Sequence, residues 1–302
     1  DSYLSSNGLA PYGTTDPSTV AEFNPIYTDN EITNAPNREN ALEAISNPAL
    51  VADHNLSLSG GNAKTTYYVS NYLSEEGVVS KSDFKRYGGR IRLDNSISDK
   101  LKIGVNVSYN KSDSQNPKGG GGGENRSESG IIAAAFAYPA NIPFIDSEGR
   151  YTENPDFVLE PNPLSFFEID DNTTNTRLLA SGNLSWNFLP DFTAQARYTY
   201  DESESTRGLY LPNNFYYGAR TGGLASIANQ NSFSNTLEVT LDYSKDIGEN
   251  ARLSLLGGYS YQETLKESLT GKSTNYITDD FIYHNLSAGR QNVEASSSKS
   301  SL

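Results

Sequence analysis

Cysteine is absent from the 302-residue chain, which excludes a disulfide framework, thiolate zinc sites and a cysteine nucleophile. Histidine is scarce: His54 and His284 lie at opposite ends of the sequence, so an imidazole metal cluster has little to draw on. Methionine is absent too, and Asp1 opens directly onto polar residues with no signal-peptide pattern, so we expect a processed chain or a fragment. No run of eighteen apolar residues occurs, which excludes a spanning helix. Membrane-spanning strands are not excluded, because their signal is far weaker. Positive charge is outnumbered, 23 basic against 37 acidic residues, for a net charge of −14. Such a chain repels phosphate backbones, so no nucleic-acid partner is expected.

What is present is tyrosine, phenylalanine and alternation. Hydrophobic residues make up only 35% of the chain, yet it holds 20 tyrosines and 12 phenylalanines. That is too polar for two packed soluble cores and too patterned for disorder. In "LKIGVNVSYN" (101–110), Leu101, Ile103, Val105, Val107 and Tyr109 share one face, and Lys102, Gly104, Asn106, Ser108 and Asn110 the other. The period of two marks a strand with one apolar and one polar face. At 191–201, Phe192, Ala194, Ala196, Tyr198 and Tyr200 oppose Thr193, Gln195, Arg197, Thr199 and Asp201. At 237–244, Leu237, Val239, Leu241 and Tyr243 alternate with Glu238, Thr240, Asp242 and Ser244. Segments 54–60, 64–73, 85–97, 177–188 and 251–262 bring the expected set to about eight strands.

The connections point to an architecture. Tight turns are expected at 60–64, 96–100, 189–191 and 246–250, and long loops at 75–84, 112–173, 206–230 and after 264. Short turns on one side and long loops on the other are the pattern of an outer-membrane β-barrel; a sandwich mixes them. From Phe192 to Tyr200 the strand runs about 27 Å, which at a tilt of about 40° spans roughly 21 Å, near the expected apolar band. Trp186, Phe188, Phe192 and Tyr243 fall at the short-turn ends and Tyr109, Tyr200 and Tyr261 at the long-loop ends, where aromatic girdles belong. Leu101, Ile103, Val105, Val107, Phe192, Ala194, Ala196, Leu237, Val239 and Leu241 are expected to face lipid. Asn106, Gln195, Arg197, Glu238 and Thr240 are expected in the lumen, with Arg90 and Arg92 kept wet there.

Motifs of chemistry are weak. "PKGGGGGENRSESG" lacks the lysine and Ser/Thr of a phosphate-binding loop. The apolar run Ile131–Ala137 is too short to span and is expected to pack, as a helical turn or strand, inside the barrel mouth. "EIDDN" (168–172) and "TDD" (278–280) are oxygen-rich but lack the spacing of a calcium loop and read as solvated acids. No carboxylate pair stands out for glycoside hydrolysis. His54 reads as an interfacial polar residue, and the second "HNLS" (284–287) as loop rather than repeat. No catalytic, cofactor-binding, metal or substrate-binding residue is assigned, no cofactor is expected, and the chain reads as no enzyme.

The stretch "HNLSLSGGNAKTTYYVSNYLSEEGVVSKSDFKRYGGRIRLDNSISDKLKIGVNVSY" resembles the barrel signature of SusC/RagA-type TonB-dependent outer-membrane transporters. So do "NPLSFFEIDDNTTNTRLLASGNLSWNFLPDFTAQARYTYD" (162–201) and "NTLEVTLDYSKDIGENARLSLLGGYSYQET" (235–264). The resemblance implies an all-β, transmembrane antiparallel barrel of about 22 strands closed by an N-terminal plug. It also implies a SusD-like lid lipoprotein, energy from the TonB complex, oligosaccharide or peptide cargo, and contact with membrane lipid. Residues 1–53 resemble the variable region before the first clear barrel strand, and 54–302 part of the barrel, with plug and C-terminal strands absent. The loop tyrosines Tyr210, Tyr216 and Tyr217 are expected to offer contact surface to the lid. The rival reading is a soluble or surface-exposed adhesin-like β-module.

Overall fold

The computed structural model describes residues 30, 33–35, 37–46, 51–76, 82–115, 130–154, 161–248 and 250–301. The glycine run of 119–123 lies outside them. Nine strands form one antiparallel sheet in which every strand pairs with its sequence neighbours. They are β1 (Ala52–Gly61), β2 (Thr65–Glu76), β3 (Asp83–Ser98), β4 (Leu101–Gln115), β5 (Asp170–Leu189), β6 (Phe192–Leu211), β7 (Leu224–Ile247), β8 (Ala251–Thr274) and β9 (Arg290–Ser301). Alternate connections are tight, as predicted. In the first hairpin the Asn62 carboxamide oxygen accepts the backbone N–H groups of Lys64 (2.8 Å) and Thr65 (2.9 Å), which fixes the turn. Gly248 supplies the left-handed residue (φ 71°) in the turn between β7 and β8.

Two expectations are corrected. The loop expected at 206–230 shrinks to 212–223, because β6 and β7 continue far beyond the apolar segment. The segment after 264 is not one loop: β8 runs on to Thr274, and β9, unforeseen, returns over Arg290–Ser301. The polar sequence "RQNVEASSSKSS" has no apolar face to betray it, yet its backbone pairs with β8 from Glu263↔Ser301 to Thr274↔Arg290.

Register converts the parity of single strands into two continuous faces. Val105 stands opposite Leu93 and Gly182, Ala196 opposite Leu184 and Val239, and Leu237 opposite Tyr198 and Tyr261. The residues predicted to meet lipid therefore form one apolar band, and no described residue covers it: Val105 is 46% exposed and Leu241 45%. The described residues contain no second sheet against which a sandwich would bury this band. The short-turn girdle is a row of touching rings, Trp186–Phe188 (5.5 Å), Phe188–Phe192 (5.8 Å) and Phe192–Tyr243 (4.7 Å). At the other margin the hydroxyls of Tyr198, Tyr200 and Tyr261 donate to Asn235, Glu202 and Glu263, as rings at a water boundary do. No described helix is long and apolar enough to cross a membrane.

Candidate functional site

The opposite face is the lumen wall, and it is mainly polar, with Leu179 and Leu256 as apolar exceptions below the rim. On it Arg90 Nε donates to Asn106 (2.6 Å), Arg92 pairs with Asp94 (2.7 Å), and Arg197 approaches Glu238 (3.9 Å). Asn106, Arg197 and Glu238 therefore lie where the sequence put them. So do Gln195 and Thr240, which stand opposite each other on this face. Gly104 permits a close crossing here, since a Cβ would collide with the Asn183 carboxamide and the Asp94 carboxylate. Higher up, Arg177 grips Asp201 through two bonds (2.9 and 2.6 Å), and Arg207 grips Asp171 likewise (2.7 Å each).

At the long-loop end the chain builds two small cores on opposite sides of one wall. Leu209 and Leu211 carry the lumen parity of β6, and Tyr210 the outer parity. The inner core takes up Leu209 and Leu211 together with Phe166, Phe215, Ile169 and the helices α1 (Ala41–Ile45) and α2 (Ile131–Ala137). Residues 131–137 thus form a helix packed on the lumen side, as expected of the mouth. Phe166 and Phe215 are both fully buried and meet edge-on at 5.2 Å. Buried Asn162 knits the same core, donating to the carbonyls of Phe144 (2.7 Å) and Thr152 (2.9 Å).

The outer core joins Tyr210, Ala225 and Tyr276, with Tyr283 and Leu286 from the 275–289 segment laid over the wall's exterior. Gly208 is required there, because any side chain would strike the Tyr283 ring. This corrects the reading of Tyr210 as open loop surface: it lies on β6, 2% exposed, edge-on to Tyr276 at 5.7 Å. Tyr216 and Tyr217 do sit in the loop, on the single turn α3 (Tyr216–Ala219), ring against ring at 5.2 Å.

Of the acids expected to be solvated, Glu168 and Asp280 are exposed, whereas Asp171 is buried against Arg207 and Asp279 is tied into neighbouring elements. Glu168 accepts from Tyr151 (2.7 Å), whose phenol is pushed up to about 12 by burial and by that carboxylate. Asp279 of "TDD" accepts from the Tyr210 hydroxyl and from both nitrogens of Asn213. The backbone N–H of Arg150, the largest influence, holds the Asp146 carboxyl below its ordinary range. Burial raises the Tyr138 phenol. Among the described residues no three potential metal ligands gather. His54 lies exposed on β1, and "HNLS" of 284–287 runs into a 3-10 turn, Leu286–Ala288.

No family model matches the chain. TonB-dependent receptor P3 of Formosa agariphila is 26% identical over 290 residues, 93% of this chain and 28% of that protein. TonB-dependent receptor P26 of the same organism is 30% identical over 254 residues, 80% of this chain and 24% of that protein. The chain thus spans between 24% and 28% of the length of these curated relatives. In fold it is similar to the RagAB peptide transporter, with a TM-score of 0.72 at 20% identity over 88% of this chain and 30% of that one. The "open-open" state of the RagAB peptide importer superposes with a TM-score of 0.68 at 21% identity, over 87% of this chain and 30% of that one. An exposed apolar band, a largely polar opposite face and these likenesses agree: the chain is similar to part of TonB-dependent receptors and has the fold of a stretch of the RagAB-type outer-membrane β-barrel wall.

Proposed function

We propose that this wall serves a TonB-dependent importer of polar nutrients, oligosaccharides or peptides, with a SusD-like lipoprotein as lid over the long-loop end. In this reading residues 1–53 are the variable approach to the barrel and 54–302 its wall, and the TonB complex supplies energy through other parts of the transporter. The observation that carries it is the sorting of faces by register: apolar and uncovered outside, hydrogen-bonding and charged inside. A solute crossing beside such a wall exchanges water for side-chain partners without meeting an apolar barrier. The inner core at the mouth, with α3 and its paired tyrosines, supplies the rigid amphipathic surface that a protein lid needs.

The test replaces 213–220, within the 212–223 loop between β6 and β7, with a glycine–serine linker in the intact protein. Lid co-purification or uptake should fall while heat-modifiable barrel remains in the outer membrane. Unchanged uptake and an unchanged lid would remove the role assigned to this loop. Uptake that persists without TonB would remove the importer reading itself.

A further inference from the structure

The upper lumen wall holds a cavity of 670 Å³ that reaches from β3 to β9, a volume in the range of small-molecule sites. Its floor consists of two lumen-facing rows. One runs Arg86, Ser112, Asn175, Ser205, Gln230, Ser268 across successive strands; the other contains Arg177, Ser203, Ser232 and Lys266. Glu204 and Glu267 border the cavity as well, but they fall on the intervening row, whose side chains point to the outer face. The floor therefore presents hydroxyls, carboxamides and three cations, and no apolar side chain.

The cations are not equivalent. Arg177 is neutralised by Asp201. Arg86 and Lys266 make no ion pair with any carboxylate among the described residues. Arg86 is nonetheless held in place: its guanidinium lies 4.9 Å over the Tyr72 ring and its Nε donates to the Tyr72 hydroxyl (3.0 Å), which donates in turn to Asn110 (2.8 Å). Arg90, two pleats further down the same strand, also lacks a carboxylate partner and leans on Asn106. In a chain of net charge −14, this face concentrates uncompensated positive charge where a passing solute would meet it.

We infer that this groove binds an anionic oligosaccharide, its carboxylate or sulfate groups held by Arg86 and Lys266 and its hydroxyls by the serines and carboxamides between them. Five strand spacings of roughly 4.8 Å separate β3 from β8, about 24 Å, which suits a chain of several sugar rings rather than a single one. A peptide fits less well. From β3 to β8, where the cations lie, the sheet's backbone donors and acceptors are already committed to the ladder, so none there meets a peptide's own N–H and C=O groups, as an open strand edge would. The floor also lacks any apolar pocket for side chains. The inference rests on the importer reading and narrows its cargo.

The test uses the intact protein in detergent with four probes: a uronate hexasaccharide, a sulfated neutral hexasaccharide, the same hexasaccharide unsulfated, and a hexaglutamate peptide. At least one anionic sugar should bind by calorimetry, more weakly as salt is raised, and better than the unsulfated sugar and the peptide. Which of the two binds tells carboxylate from sulfate. Arg86→Gln and Lys266→Gln should each weaken that binding roughly tenfold, the scale of one charged hydrogen bond. Arg86→Lys should restore part of it, and heat-modifiability on gels confirms that each variant keeps its barrel. Equal binding of the neutral sugar, tighter binding of the peptide, no binding of any probe, or full affinity in both Gln variants overturns the inference. TonB-dependent uptake that survives such a result would leave the importer reading standing, with different cargo.

Discussion

The Asp279 carboxylate accepts the Tyr210 hydroxyl at 2.5 Å, and that bond ties the segment between β8 and β9 to the outside of β6. The same carboxylate oxygen receives the Asn213 backbone N–H (3.1 Å) and side-chain amide (2.9 Å), so one acid holds two long connections together. Asp279→Ala leaves a buried phenol and two amide donors without their acceptor, which should cost about 1–3 kcal/mol of local stability. Hydrogen exchange across 275–289 should accelerate accordingly, while exchange in the β3–β4 ladder stays as it was. Gly208→Ala should loosen the same segment by another route, by displacing the Tyr283 ring.

Val105→Arg should lower barrel stability by about 2–4 kcal/mol if it meets the bilayer midplane, whereas a lumen position should tolerate the same change. Asn106 is a poor control, since it accepts the hydrogen bond of Arg90. Gln195, opposite Ser185 and Thr240, is the better one, and Gln195→Arg should stay within about 0.5 kcal/mol. Folding titrations of the intact protein into lipid vesicles measure both. Equal penalties would contradict the division of faces.

Trp186 is the chain's single tryptophan and lies half-exposed on the apolar face beside Phe188, at the short-turn margin. Its fluorescence should be quenched most by bromines attached near the lipid glycerol and little by bromines near the chain ends. Full quenching by aqueous iodide would place it out of the membrane.

Asp146 gives a pH dependence of known sign. Its carboxyl is depressed in the folded chain, chiefly by the Arg150 backbone N–H, with Arg150 Nε at 3.0 Å and Glu148 N–H at 2.8 Å adding to it. A depressed acid stabilises the fold above its unfolded pKa, ordinarily 3.8, and that stabilisation disappears as pH falls through the lower folded value. The turn at 146–150 should therefore open to proteolysis by an acid protease only in strongly acid solution, and Asp146→Asn should be open already at neutral pH.

Legibility in the sequence followed the membrane. Between the girdles lipid demands one apolar face, so residues such as Leu101–Tyr109 and Phe192–Tyr200 announce strand, facing and register margin together. Beyond Tyr200, Tyr261 and Asn235 that demand ends: β6, β7 and β8 continue in polar sequence, and β9 has no apolar alternation at all. Pairing there comes from backbone ladders and contacts such as Arg177–Asp201, whose partners lie 24 residues apart and leave no local signal. Tyr210 misled for a related reason: in "GLYLPNNFYYGA" only the register separates strand Leu209–Leu211 from the turn after Pro212. The cavity's cations were visible as letters, but that Arg86 and Lys266 lack the carboxylate partner Arg177 has is a property of nine strands laid side by side.

The two cores of the rim give the wall an uneven stiffness. Where Leu209 and Leu211 are clasped from within and Tyr210 from without, a single sheet has become a three-layered plate, and bending resistance rises steeply with thickness. Beyond β4 and β5, β1 to β3 rise with neither layer pressed against them among the described residues. Any breathing of the mouth will concentrate in that thinner sector, and the plate beside it will turn as one piece, carrying the groove's Lys266 with it while Arg86 moves with the softer wall.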